Sequence, residues 1–242
     1  MATEFVGDPA WVWGLASRDD DVRGRALARH RELVEHARQA LRWSNDVWAR
    51  AGSPAPDQPH LAAEMDQAQA AFRYHRGQTI FGLTASLWDD DHEVRERHAP
   101  FVLLYLAWEG RYPDDWRADD NNLWSAWGRK ESLLRTLAAD GVPSTIRPQM
   151  TDLITDVVRR RYRCKDWMYA GLVRHVADDR FHERMRGLLG DDDPVVRLRA
   201  EFLLHVAAHP EAKVKRTTWR RWPAGRPRAG RAVAPGPGDV SG

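Results

Sequence analysis

The sequence predicts an all-α chain of stacked helix pairs ending in a disordered basic tail, and three observations carry that prediction. A frame, L-x-x-x-D-x-x-V-R-x-R, occurs three times: Leu15/Asp19/Val22/Arg23/Arg25, Leu87/Asp91/Val94/Arg95/Arg97 and Leu189/Asp193/Val196/Arg197/Arg199. Apolar residues between the copies recur at three- and four-residue steps, the period of a helix with one buried face. From Lys213 onward aliphatic residues nearly vanish and Pro, Gly and Arg take over. Such a stretch holds too little apolar surface to offset the entropy of ordering it.

The third copy shows how the frame works. Asp193 can accept a bond from one of the unpaired N–H groups that open a helix, and Pro194 at the first helical position has no N–H to leave unpaired. Val196, Ala200, Leu203, Leu204 and Ala207 then fall on one stripe. The leucine seven residues before each frame valine closes the preceding helix. The unit is helix, acidic turn, helix.

Asp19, Asp91 and Asp193 with Val22-Arg23, Val94-Arg95 and Val196-Arg197 resemble HEAT-type repeats, antiparallel helix pairs with an aspartate in the turn and a valine-arginine step opening the second helix. The resemblance implies a right-handed α-solenoid. It also implies a ladder between neighbouring repeats, in which these aspartates meet Arg23, Arg25, Arg95, Arg97, Arg197 and Arg199. Val22 and Val94 stand 72 residues apart, and Val94 and Val196 stand 102 apart. Those intervals suit two and three units of about 34–36 residues. The intermediate copies lack the frame, so the expectation is an imperfect array of five or six helix pairs over residues 1–212, with the tail at 213–242.

Taken in order, Asp8-Pro9 opens a first helix with Trp11, Val12 and Leu15 on one side. Asp19 starts a long helix whose stripe is Val22, Ala26, Leu33, Val34, Ala37, Leu41 and Val47, ending near Ala51-Gly52. Three prolines between Ser53 and His60 make the clearest break. Periodicity resumes near Leu61 and runs to Leu87, with Gly77 at a bend or boundary. The second copy follows, with Phe101, Val102, Leu104 and Tyr105 on its apolar face. Arg111–Asp120 reads as a polar loop. A helix after Asn122 carries Leu123, Trp124, Trp127, Leu133, Leu134 and Leu137 and closes at Gly141. Pro148 opens another, with Leu153, Ile154, Val157, Val158 and Tyr162. Two shorter helices near 166–177 and 179–189 lead into the third copy, which His209-Pro210 stops.

Composition bounds the setting. The 242 residues are 43 % hydrophobic and 30 % charged, an ordinary soluble balance. No apolar run approaches the ~20 residues of a membrane span. The start lacks the basic-then-apolar pattern of a secretory signal. Cys164 is alone and forms no internal disulfide, which fits a reducing compartment. Arginine outnumbers lysine 33 to 4, the codon bias of a GC-rich bacterial genome. The expectation is a cytoplasmic bacterial protein without membrane contact. Residues 213–242 hold eight Lys/Arg against one acid, leaving 29 basic and 34 acidic residues, a net of −5, in the body.

Four constellations are candidates for function. Twelve tryptophans are expected mainly to fill seams between helices, with Trp124 and Trp127 the best placed to line a binding groove. Of the aspartate clusters at 89–91, 114–115, 119–120 and 191–193, the frame explains two as turns and caps. Adjacent carboxylates point in different directions unless a loop folds around an ion, so no metal is expected. His205 and His209, four apart, have no third ligand in their motif. The run Arg159, Arg160, Arg161, Tyr162, Arg163, Cys164, Lys165, followed by Trp167, reads first as the solvated end of a helix and second as a phosphate-binding patch with stacking aromatics. No phosphate loop or nucleophile motif occurs, and neither catalytic residue nor cofactor is expected.

Two functions remain. The first is a non-enzymatic scaffold that binds an unidentified protein partner on its curved surface. The second is nucleic-acid work, since HEAT-like DNA alkylation-repair glycosylases are similar in size and architecture and set tryptophans and an aspartate against DNA. Asp166-Trp167 and Trp124/Trp127 are the residues such a role would use. Non-specific nucleic-acid contact is expected mainly through the basic tail.

Overall fold

The three frame aspartates cap alike, although the frame leucine is buried at Leu15 and Leu87 and exposed at Leu189, where Leu188 takes the core position. In a computed structural model, which describes residues 8–52 and 57–222, Asp19, Asp91 and Asp193 share one extended conformation, with φ/ψ of −78/116°, −76/116° and −75/115°. Each carboxylate accepts from its helix's first turn: Asp21 and Val22 donate to Asp19, Glu93 and Val94 to Asp91, Val195 to Asp193. Two residues earlier a second oxygen steadies each cap. Ser17 Oγ, Asp89 Oδ1 and Asp191 Oδ1 accept from the amides of Asp19, Asp91 and Asp193. The tight aspartate clusters are thus caps stacked on caps.

The described residues are helical, with no strand. A 3-10 turn at Pro9–Ala16, capped by Asp8, precedes α1 (Asp20–Ala51). Gly52 ends α1 at φ 66°, the left-handed turn that glycine adopts without strain. α2 (Pro59–Gly77) packs back along α1 and buries Leu61, Met65 and Ala68. The chain then doubles back into α3 (Ile80–Leu83). The bend needs Gly82, because a Cβ there would sit 2.5 Å from the Arg76 carbonyl oxygen and the Gly77 Cα. α4 (His92–Arg111) is the central helix, burying Ala99, Val102, Tyr105, Leu106 and Trp108.

Pro100 lies inside α4 and cannot donate to the Glu96 carbonyl. The Thr145 hydroxyl takes that acceptor instead at 3.2 Å. The Glu96 carboxylate accepts from the Ser144 and Thr145 amides and from both hydroxyls. Burial opposes its charge, but these donors prevail and lower its pKa to about 2. The hydrogen bond that Pro100 removes from α4 is thus replaced by a clasp onto the turn ahead of α7.

The stretch Arg111–Asp120, read as a polar loop, contains α5 (Pro113–Arg117) and drives Trp116 fully into the core. Its polarity hid one anchoring residue among exposed charges. α6 (Ala126–Asp140) starts at its cap Ser125 and ends at Gly141, φ 102°. α7 (Arg147–Arg159), α8 (Val173–Val176), α9 (Asp179–Gly187) and α10 (Pro194–Ala208) follow, with a 3-10 stretch at Asp166–Leu172. One cluster of buried apolar side chains runs from Val12 to Val206.

Two expectations change here. The cross-repeat ladder is not formed, because no ion pair joins a frame aspartate to a frame arginine among the described residues. Arg23 goes to Asp20 at 2.7 Å and Asp115 at 3.6 Å, and Arg95 to Asp140 at 3.9 Å. Arg197 donates to the carbonyls of Asp191 and Asp192, and Arg199 to those of Val158 and Arg160. Arg25 and Arg97 are exposed. The caps consume the aspartates locally, so the arginines find other acceptors. The tail boundary also moves. Lys213–Trp222 includes α11 (Arg216–Arg221), and Trp219 and Trp222 pack edge-on against Phe202 at 5.1 and 5.3 Å. The remainder of the predicted tail, 223–242, lies outside the described residues.

Candidate functional site

Trp124 and Trp127 do come together, though not on one helix face. Trp124 precedes the cap Ser125, while Trp127 is in the first turn of α6. Both line a cleft of about 580 Å³ with Arg38, Arg117, Asn122 and Leu123. Trp124 is 48 % exposed. It is nonetheless held, with Phe72 and Phe81 edge-on at 6.4 Å and the Arg76 guanidinium 5.5 Å from its ring centre. Trp127 stands edge-on to buried Trp116 at 4.9 Å.

Asn122 lines the cleft, and it and its buried neighbour Asn121 brace the turn beneath it. Asn121 and Asn122 donate to the carbonyls of Asp115, Trp116 and Ala118. The Asn121 carbonyl in turn accepts from His30 Nε2 at 3.0 Å. His30 is enclosed by Trp11, Phe81 and Trp108, and burial lowers its pKa to about 4, so it is neutral near pH 7. Arg38 donates to the carbonyls of Asp119 and Asn122, which fixes the cleft wall to α1.

Behind Trp127 lies a second constellation. Lys130 of α6, fully buried, is 5.5 Å from the Trp127 ring centre on one side. On the other it meets Asp166 at 2.7 Å and Glu109 at 3.4 Å. Arg160 bridges the same two carboxylates at 2.6 and 2.8 Å, and Arg163 reaches Glu109 at 3.3 Å. The Asp166 carboxylate also accepts the Arg163 amide, and Lys130 donates to the Cys164 carbonyl. Burial opposes the charge of Arg160, but Asp166 outweighs it and raises its pKa. The turn that makes this possible holds Lys165 at φ 67°, a left-handed conformation rare for a residue with a Cβ. Its side chain pairs outward with Glu131 at 2.5 Å.

No known protein family, characterised protein or solved structure matches this chain.

The basic run therefore divides. Arg160 and Arg163 turn inward, Lys165 is paired, and Arg159 and Arg161 are exposed. Trp167 is half-buried against the core. The solvated-helix reading misses the inward pair because the partner they share, Glu109, is far away in sequence, and Asp166, though near, is reached only through the turn at Lys165. A signal was present: Lys130 falls on the α6 stripe with Ala126, Leu133, Leu134 and Leu137, and Glu109 on the α4 stripe with Val102 and Tyr105. A charge on an apolar stripe needs an opposite charge buried beside it. Tyr169, fully buried near these charges, has a hydroxyl without a partner, and burial raises its pKa. Among the described residues no helix is long and apolar enough to cross a membrane, and no three His, Cys, Asp or Glu side chains group as metal ligands would.

Proposed function

We propose that the chain is a non-enzymatic protein-interaction scaffold built on HEAT-like repeats, with the Trp124–Trp127 cleft as its contact surface. The observation that carries this reading is the cleft itself: an exposed indole packed against Phe72, Phe81 and Arg76 beside two further arginines. Rigid tryptophans lose little freedom on binding and dominate many interfaces. Arg38 already donates to the Asp119 and Asn122 carbonyls, and Arg117 pairs with Asp114 at 2.6 Å. A partner carboxylate would therefore compete for Arg117, the more exposed of the two, while an apolar or aromatic side chain covers the indoles. Three helices opened by the same cap geometry support the repeat reading.

The repair-glycosylase alternative is less well supported. Its aspartate would be Asp166, whose carboxylate is enclosed by Lys130, Arg160 and the Arg163 amide. An aspartate so engaged has no lone pair directed at a substrate.

Displayed random peptides selected on the full chain test the proposal. The recovered sequences are expected to pair Asp or Glu with an aromatic residue and to bind Trp124→Ala at least ten-fold more weakly. Failure to enrich any such class, or equal binding to the variant, overturns it.

A further inference from the structure

Two segments that are distant in sequence meet at the end of the chain. Tyr162 follows α7, and Trp219 and Trp222 come from α11 and its end. Together with Phe202 of α10 they surround a cavity of about 350 Å³, within the ~300–1,000 Å³ range of small-ligand sites. Arg199 and Arg216 complete its polar lining, and among the described residues no acidic side chain lines it. Arg199 is fixed by its bonds to the Val158 and Arg160 carbonyls at 3.0 and 2.7 Å. Phe202 is buried, Trp219 and Trp222 are half-buried, and Tyr162 is 39 % exposed, so the aromatic wall is reachable from solvent.

Four aromatic rings with two guanidiniums select a definite chemistry. A cationic ligand would suit the rings but is repelled by the arginines. A purely apolar ligand leaves both guanidiniums without a use. A planar ring carrying an anionic group satisfies both. We infer that this cavity binds a nucleotide unit, its base stacked among Tyr162, Trp219 and Trp222 and its phosphate held by Arg199 and Arg216. A free mononucleotide and one residue of a single strand present the same chemistry. The site is separate from the Trp124 cleft, with which it shares no lining residue.

The test is fluorescence anisotropy of the full chain with a labelled twelve-nucleotide oligothymidylate, at low salt and at about 150 mM. Tyr162→Ala is expected to weaken binding at least ten-fold, whereas Tyr162→Phe, which keeps the ring, binds as the wild type does. Arg216→Gln, at an exposed position, is expected to weaken binding at least three-fold and flatten its salt dependence; it decides the matter if circular dichroism shows Tyr162→Ala misfolded. Neutralising Arg226, Arg228 and Arg231 to Gln in the full chain separates the cavity from a simple polycation. AMP as competitor distinguishes the sources: displacement assigns the site to free nucleotides as well, and its failure restricts it to strands. Binding that survives Tyr162→Ala and Arg216→Gln but vanishes in the Arg226/Arg228/Arg231 variant overturns the inference. So does displacement by inorganic phosphate as effective as that by AMP.

Discussion

His30 shows what one residue does in this fold. It occupies a core position on α1, ringed by Trp11, Phe81 and Trp108, and spends its one N–H on the Asn121 carbonyl. Its Nδ1 is buried without a partner, so protonation would put an uncompensated charge among aromatic rings. Folding lowers the His30 pKa from 6.5 to about 4. The stability that comes from keeping it neutral is present above pH 6.5 and is lost as pH falls toward 4, below which the slope from this group ends. Denaturant titrations of the wild type between pH 7 and 4 should show a loss of about 3 kcal/mol from this source. His30→Leu should flatten that part of the profile; an unchanged slope in the variant would assign the pH dependence elsewhere.

At the scale of elements, the five-charge cluster joins α4 through Glu109, α6 through Lys130, and the segment from Arg160 to Asp166 after α7. Three cations face two carboxylates, so each anion is shared. Removing Lys130 leaves Asp166 and Glu109 to Arg160 and Arg163 alone, in a space from which water is excluded. Breaking such a group is costly, while replacing all of it with apolar residues of like volume is often neutral. Lys130→Met is expected to cost about 3–5 kcal/mol in chemical denaturation. A loss below about 1 kcal/mol would mean that the arginines neutralise both carboxylates unaided.

For the whole molecule, the boundary that matters is where the body ends. Trp219 and Trp222 lie on the buried face of α10, and Trp222 also meets His205 at 4.6 Å. Deleting 213–242 uncovers Phe202 and neighbouring apolar surface. It should lower stability by about 2 kcal/mol or more relative to a chain ending at 222, by the usual value of burying aromatic area. Equal melting temperatures for the two truncations would show that α11 adds nothing to the body. The boundary expected at Lys213 falls ahead of a packed segment, because two tryptophans among basic and small residues carry no helical period. Only their contact with Phe202 reveals them as packing residues.

Local chemistry was legible in the residues alone. The three aspartate caps, the glycine that ends α1, the stripes of α1, α4, α6, α7 and α10 and the stop at His209-Pro210 each depend on residues within a turn or two, whose energetics do not need the rest of the chain. What lies between distant segments was decided by tertiary structure. Trp116 enters the core from a polar stretch, Arg160 and Arg163 turn inward, and the frame arginines take backbone carbonyls instead of frame aspartates. Tyr162 meets Trp219 and Trp222 only in the folded chain. In each case a long polar or aromatic side chain can satisfy itself in several ways, and the choice belongs to whichever partner the packing of the helices brings within reach.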